Sequence, residues 1–253
     1  MVEPATLPKG TRPEGATNEL EASRSVREMF TRIAPRYDLL NHLLSAQMDR
    51  LWRARVAREL KPILDRPDAL VLDLCCGTGD LAFSLARHAR ARICGADFSH
   101  TMLVRARRKA ADANGGAPLN FLEADALRLP FINGSFDLVT TAFGFRNLAN
   151  YEDGLREILR VLKPGGTLAI LEFAEPAPGA LGDLYRFYCQ KVLPKIGGFI
   201  SGDPEAYEYL PKSVARFFRP QELASLMEGA GYTGVHYHLM TLGSVAVHTG
   251  VRA

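Results

Sequence analysis

The chain has 253 residues, 47% of them hydrophobic and 23% charged, with a formal net charge of +3. That is ordinary globular composition, enough for one large domain whose core needs no disulfide or metal staple. The mild charge gives no reason to expect nucleic acid and no apolar run reaches the length of a membrane span. The four cysteines lack framework spacing and two are adjacent, which points to a reducing, cytoplasmic setting.

Residues 1–20 are rich in Pro, Gly, Thr and Glu and lack an apolar h-region, which predicts a disordered tail and no secretory signal. Val26, Met29, Phe30 and Ile33 then fall on one face of a helix that Pro35 interrupts. A second helical pattern runs through Leu51, Trp52, Val56 and Leu60 and stops near Pro62. Residues 21–61 hold nine Lys/Arg against five Asp/Glu. This reads either as two solvated amphipathic helices or as a basic cap near an anionic ligand or a membrane surface.

From 69 to 172 strand and helix signals alternate. "ALVLDL", "ARICGAD", "NFLEAD" and "FDLVTTAFG" read as strands, and "DLAFSLARHA", "HTMLVRARRKAADAN" and "YEDGLREILRVL" as helices. Lys163-Pro164-Gly165-Gly166 predicts a tight turn into "TLAILEFAE". Short connections between alternating elements imply an α/β fold with a doubly wound, mostly parallel sheet. A helix "PQELASLMEGAG" and two late strands in "VHYHLMTLGSVAVHTG" close the chain. His236 and His238 share a strand face without a third ligand, and with His248 they read as strand packing.

"VLDLCCGTGDLA", residues 71–82, is the most informative stretch. Gly77 and Gly79 sit where the first strand turns into the first helix of the core, where glycine permits positive φ and close approach of a ligand to the helix N-terminus. Asp97, at the end of the second strand, is placed to accept hydrogen bonds from ribose hydroxyls. Gly77-x-Gly79-x-x-Ala82 also fits a relaxed dinucleotide fingerprint, so NAD stays open as a competitor. Asp73 favours S-adenosylmethionine instead, because an acid there repels a pyrophosphate and suits an amino-acid ammonium. Cys75 and Cys76 have no second ligand pair at zinc spacing, so no metal is expected.

Several stretches together resemble the UbiE/MenG/Coq5 group of class I methyltransferases, which C-methylate quinone precursors. They are "YDLLNHLLSAQMDRLWR", "DLCCGTGDLA", "GADFSHTML", "EADALRLPF", "FGFRNL", "RVLKPGGTLAILEFA" and "DPEAYEYLPKSVARF", spread over roughly residues 25–250. The chain departs from the family pattern at Leu40 and Asp49, where Met and His are usual, at Leu168 and Ala174, and at Ala142, where Ser is frequent. The resemblance implies a Rossmann-like class I methyltransferase domain over 21–253. Its parts are a helical cap (21–66), a cofactor-binding core (67–174), a lid insertion (175–215) and a C-terminal helix with strands (216–253).

The resemblance further implies S-adenosyl-L-methionine as cofactor, contacted by Thr78, Asp97, Asp125 and Ala126, with a backbone contact left at Ala142. It implies demethylmenaquinol as acceptor, or a ubiquinone-precursor benzoquinol. Methylation of such a ring needs an oxyanion stabilised beside the attacking carbon, for which Arg146 is the candidate, with Asn147 orienting the same oxygen or a water. The competing reading of Arg146 is a structural salt bridge at a strand end. Tyr37 and Tyr209 are candidates to line the ring pocket, or to be packing aromatics. An isoprenoid tail implies transient contact with the inner face of a membrane, through the basic helices or "GALGDLYRFYCQKVLPKIGGFI". The sequence leaves a homo-oligomer open.

Overall fold

In the computed structural model, residues 8–87, 89–112, 119–176 and 204–253 are described, with isolated positions between 179 and 191. The strands are β1 (Leu70–Leu74), β2 (Arg92–Asp97), β3 (Asn120–Glu123), β4 (Phe136–Ala142), β5 (Leu162–Phe173), β6 (Tyr232–Met240) and β7 (Val245–Arg252). They form one sheet in the order β3-β2-β1-β4-β5-β7-β6. Neighbours from β3 to β5 are parallel, and β7 runs antiparallel between β5 and β6. The chain starts in the middle at β1, winds outward to β3, then returns to β4. The switch point between β1 and β4 opens a crevice at the strands' carboxyl ends, where such sheets bind ligands.

The helices are α1 (Glu19–Ile33), α2 (Tyr37–Leu44), α3 (Met48–Glu59), α4 (Lys61–Leu64), α5 (Asp80–Ala86), α6 (His100–Asp112), α7 (Tyr151–Val161), α8 (Pro204–Arg216) and α9 (Pro220–Gly229). The period-2 alternation of the strands divides the core in two. Val71, Leu138, Ala169 and Leu171 face one side with Trp52, Val56, Leu81, Leu85 and Leu103. Leu72, Leu74, Val139, Leu168 and Ile170 face the other with Leu155, Ile158, Leu223 and Met227. The adjacent cysteines diverge in the same way, Cys76 packing on the first side and Cys75 on the second, which explains why they make no paired ligand set.

Three expectations change. The supposed free tail is partly packed: Thr11 is buried, its N–H donates to Leu148 O at 2.8 Å, and Tyr151 N–H donates to Lys9 O at 2.8 Å. Backbone pairing with the 148–151 turn, which composition does not encode, holds it there. The 163–166 stretch is an irregularity inside β5, where Phe136 pairs Leu162 but Leu138 pairs Thr167, with Gly165 at φ 77°. Leu51, placed on the apolar face of α3, is 61% exposed, because Asp49 and Arg53 take the inward positions instead. Among the described residues no helix is long and apolar enough to cross a membrane. Most of the lid insertion, Cys189 and the second membrane-contact stretch lie outside the described residues.

Candidate functional site

β1 ends at Leu74, and the chain turns through Cys75-Cys76-Gly77-Thr78-Gly79 into α5. Cys75, Gly77 and Gly79 all have left-handed φ, at 54°, 56° and 88°. Gly79 occupies the N-cap of α5 and has no side chain to cap the helix. Asp73 fills that role from β1. Ala82 N–H donates to its Oδ2 at 2.9 Å, and Thr140 Oγ1 donates to its Oδ1 at 3.0 Å. Asp97 braces the loop from the next strand, accepting from Gly77 N–H and Ser99 N–H, each at 2.8 Å. Burial pushes both carboxyls up, Asp73 to about 7 and Asp97 to about 6, even though each accepts two neutral hydrogen bonds. Burial also raises the thiols of Cys75 and Cys76, which suits small packing groups.

A cavity open to solvent lies beside this loop. Its wall brings together Asp73, Gly77, Thr78, Asp97, Asp125, Ala126, Ala142, Asn147 and Tyr37, all expected from the sequence. Asp125 is fixed by accepting Leu127 N–H at 2.9 Å. Gly79, Arg146 and Tyr209 are not part of the described wall. Gly79 serves the turn itself. The sequence reading missed Ser23 and Phe30 from α1, Arg53 from α3, and Phe98, Met102 and Phe143. The helical periodicity placed Phe30 on a core face, and nothing in its spacing separated the cavity from the core.

The N-terminal helices roof this cavity. Tyr37 lies over the loop, with its Cε1 only 3.9 Å from where a Cβ on Gly77 would stand, and it packs edge-on against Phe30. Burial pushes the Tyr37 hydroxyl up from its ordinary value. Thr78 Oγ1 donates to Asp38 Oδ1 at 2.5 Å, and Lys109 Nζ joins Asp38 and Asp80, each at 2.7 Å. One turn further along α2, His42 Nδ1 lies 2.7 Å from Asp49 Oδ2, and Ser45 donates to Asp49 Oδ1 at 2.8 Å. The Arg53 guanidinium binds the same Asp49 oxygen and stands 3.8 Å from Asp80. Asp49 departs from the family's usual residue, but here it is the anionic centre of a pair with His42 and Arg53.

The "FGFRNL" stretch closes the cavity from β4. A Cβ on Gly144 would stand 2.4 Å from Cys75 Cβ, so only glycine lets the two strand ends approach this closely. Phe143 is left-handed at φ 58°, and residues 145–147 form a single 3-10 turn. Arg146 is buried behind the wall. Its Nη1 pairs with Glu172 Oε2 at 3.0 Å and also donates to Phe143 O, while its backbone N–H donates to Glu172 Oε1 at 3.1 Å. This is the salt-bridge arrangement that competed with direct oxyanion contact in the sequence reading. The neighbouring Asn147 does face the cavity. Tyr209 of α8 donates to Asn147 Oδ1 at 3.0 Å and shares a 2.9 Å hydrogen bond with Thr11. That leaves Asn147 Nδ2, with a long 3.4 Å contact to Phe143 O, able to donate to a ligand.

Residues 17–252 match the model of the ubiE/COQ5 methyltransferase family. The chain is 52% identical over 225 residues to a demethylmenaquinone methyltransferase of Thermus thermophilus, covering 88% of this chain and 100% of that one. It is 46% identical over 231 residues to a demethylmenaquinone methyltransferase of Deinococcus radiodurans, covering 91% and 93%. A ubiquinone/menaquinone biosynthesis C-methyltransferase of Geotalea daltonii is 40% identical over 232 residues, covering 91% and 97%. Among solved structures, a SAM-dependent methyltransferase of Thermotoga maritima superposes with TM-score 0.64 at 22% identity, covering 89% and 99%. The [4+2]-cyclase SpnF superposes with TM-score 0.67 at 17% identity, covering 97% and 99%. Two such different chemistries on one architecture show that the fold is shared and that the reaction is decided in the site.

Proposed function

The chain belongs to the ubiE/COQ5 methyltransferase family, and from that premise we propose that it C-methylates demethylmenaquinol to menaquinol. It is a SAM-dependent methyltransferase. The observation that carries the acceptor reading is one cavity holding Asp73, Asp97 and Asp125 together with Tyr37, Phe143 and Asn147. Carboxylates suit a cationic, hydroxyl-bearing cofactor, and the aromatic and amide groups suit a flat ring with an oxygen. The same chemistry on a ubiquinone-precursor benzoquinol is the second reading, favoured by the dual name of the Geotalea daltonii relative.

The residues present fit S-adenosyl-L-methionine. Asp73 and Asp97 are buried carboxylates whose hydrogen-bond donors are neutral, and each oxygen retains a further lone pair. An ammonium at Asp73 and ribose hydroxyls at Asp97 would supply the compensation that burial withholds. Asp125, Ala126, Phe98 and Met102 would hold the base, the loop at Gly77 and Thr78 would hold the backbone side, and Ala142 would offer its main chain. When bound, the cofactor supplies an electrophilic methyl group on a sulfonium.

The chain's own part is to prepare the acceptor. A quinol hydroxyl has a pKa of about 10 by analogy with tyrosine, and only its anion pushes enough electron density onto the adjacent ring carbon. Asn147 Nδ2 donates to that oxygen, with its amide held in register by Tyr209. Arg146 acts as a positioning residue: paired with Glu172, it fixes the turn that presents Asn147. Tyr37 covers the ring and excludes water. Asn147 and Tyr37 would hold that ring carbon in place beside the methyl group that the bound cofactor supplies. The proton on that ring carbon would pass to solvent as the product leaves the cavity, restoring the aromatic ring as its quinolate.

The isoprenoid tail of such a substrate resides in a bilayer, so the protein works at a membrane surface, from the cytoplasmic side. An acceptor competition tests the reading. Given demethylnaphthoquinol and a benzoquinol lacking the ring methyl, of equal tail length, methyl label is expected on the naphthalene ring. Label on the benzoquinol alone would replace the acceptor.

A further inference from the structure

Helix α2 carries two leucines on its outer side. Its polar residues Asp38 and His42, one turn apart, face inward and hold the cofactor loop through Thr78, Lys109 and Asp49. Its apolar residues Leu39 and Leu43, also one turn apart, face outward and are 62% and 52% exposed. A surface helix ordinarily does the reverse. The inward commitment of the charged face explains the orientation but leaves two adjacent leucines in water. The neighbouring helix continues the pattern. α3 buries Asp49, Trp52, Arg53 and Val56 and turns Arg50, Leu51, Arg55 and Arg58 outward.

The charge on this surface is net basic. Of the acids on α2 and α3, Asp38 and Asp49 are drawn into ion pairs on the inner side, with Lys109 and with His42 and Arg53, while Glu59 at the end of α3 pairs with Arg55. The outer side of the α2–α3 pair therefore combines exposed leucines with the exposed Arg50 and Arg58. That is the composition of an element lying in the headgroup region of an anionic bilayer, with leucines dipping toward the acyl chains and guanidiniums on the phosphates. A second copy of the same surface would bring like charges together, which disfavours self-association through it.

We propose that the outer face of α2 and α3, carrying Leu39, Leu43, Leu51, Arg50 and Arg58, is the surface on which this protein docks to an anionic lipid bilayer. The proposal rests on the quinol reading for its purpose and not for its test. Docking through α2 brings the cofactor loop, one helix thickness away, against the bilayer in which a tailed quinol resides.

Flotation of the full chain with phosphatidylcholine vesicles, with and without phosphatidylglycerol, and without cofactor or substrate, measures the docking alone. The intact chain is expected to float with the anionic vesicles. Leu39→Gln/Leu43→Gln, which keeps good helix formers, should weaken partitioning on the order of tenfold. Arg50→Gln/Arg58→Gln should remove the preference for anionic lipid. Ile132→Gln removes a still more exposed apolar side chain just before β4, at the amino end of the strands, and should change nothing. Failure of the intact chain to float, or unchanged flotation of the leucine variant, would overturn the proposal. So would a leucine variant that converts a dimer to a monomer in light scattering without changing flotation. Because no substrate is present, a wrong acceptor assignment would leave these results untouched.

Discussion

Lys109 on α6 reaches across the cofactor loop to Asp38 on α2, Nζ to Oδ2 2.7 Å, and the same ammonium stands 3.1 Å from Thr78 Oγ1 and 2.7 Å from Asp80. Three elements far apart in sequence thus meet on the loop between β1 and α5. The pair is partly exposed, so its value is modest. Asp38→Asn and Lys109→Met should each weaken SAM binding about fivefold, in line with ~1 kcal/mol for a screened ion pair. The double variant should lose little more than either single one, since the groups act together. Calorimetric titration reads this directly, and unchanged affinity in both singles would contradict a role in holding the loop.

Arg146 and Glu172 are both buried, and each is the other's charge partner. Removing one leaves the other uncompensated, so Arg146→Met should destabilise the fold by about 3 kcal/mol or more. Arg146→Met/Glu172→Met should recover much of that in urea denaturation. Turnover should fall on the order of a hundredfold in both, because the turn presenting Asn147 loses its anchor. Near-normal turnover in the folded double variant would show that the turn does not depend on this pair.

The strands, their order of appearance and the glycine loop were legible because they rest on local chemistry: alternation in "LVLDL", positive φ at Gly77 and Gly79, an acid at the end of the second strand. The roof was not. Phe30 and Asp38 belong to helices whose periodicity describes a face without saying what the face meets. Arg146 shows the same limit from the other side, because the sequence identifies a candidate cation but not that Glu172, on a different strand, lies beside it. The packed segment around Thr11 is held by main-chain bonds to Leu148 and by Tyr209, which residue composition cannot encode.

The raised carboxyls of Asp73 and Asp97 make cofactor binding depend on pH. Their values near 7 and 6 apply to the unliganded site. A cationic ligand binds their ionised forms better, so complex formation lowers both. Affinity should therefore be highest above pH 7, fall by about tenfold per pH unit between pH 7 and 6, and steepen toward about a hundredfold per unit below pH 6. Titrations of SAM across this range check it. Affinity that is flat, or that rises toward acid, would contradict the assignment of these acids to the cofactor.

His248 is buried on β7, with its Nε2 2.9 Å from Pro220 O, and burial lowers its pKa to about 4. The unfolded chain binds this proton more readily, at the ordinary value of about 6.5. The contribution to stability is thus present above pH 6.5 and lost as pH falls toward 4, amounting to about 3 kcal/mol across that window. His248→Gln, which retains a donor for Pro220 O, should shrink the difference between urea midpoints at neutral and acid pH. An equal acid shift in the variant would place the loss elsewhere.

Methyl transfer from SAM to the carbon of a reduced ring is tested most directly by incubation with methyl-labelled SAM and short-tailed demethylnaphthoquinone. The acceptor is held either oxidised or reduced, and the label is located by mass spectrometry. Label is expected on the ring carbon of the quinol and none on the quinone, since only the reduced ring can form the electron-rich anion. Transfer to the oxidised ring, label on oxygen, or no transfer from a protein shown to bind SAM would contradict this mechanism.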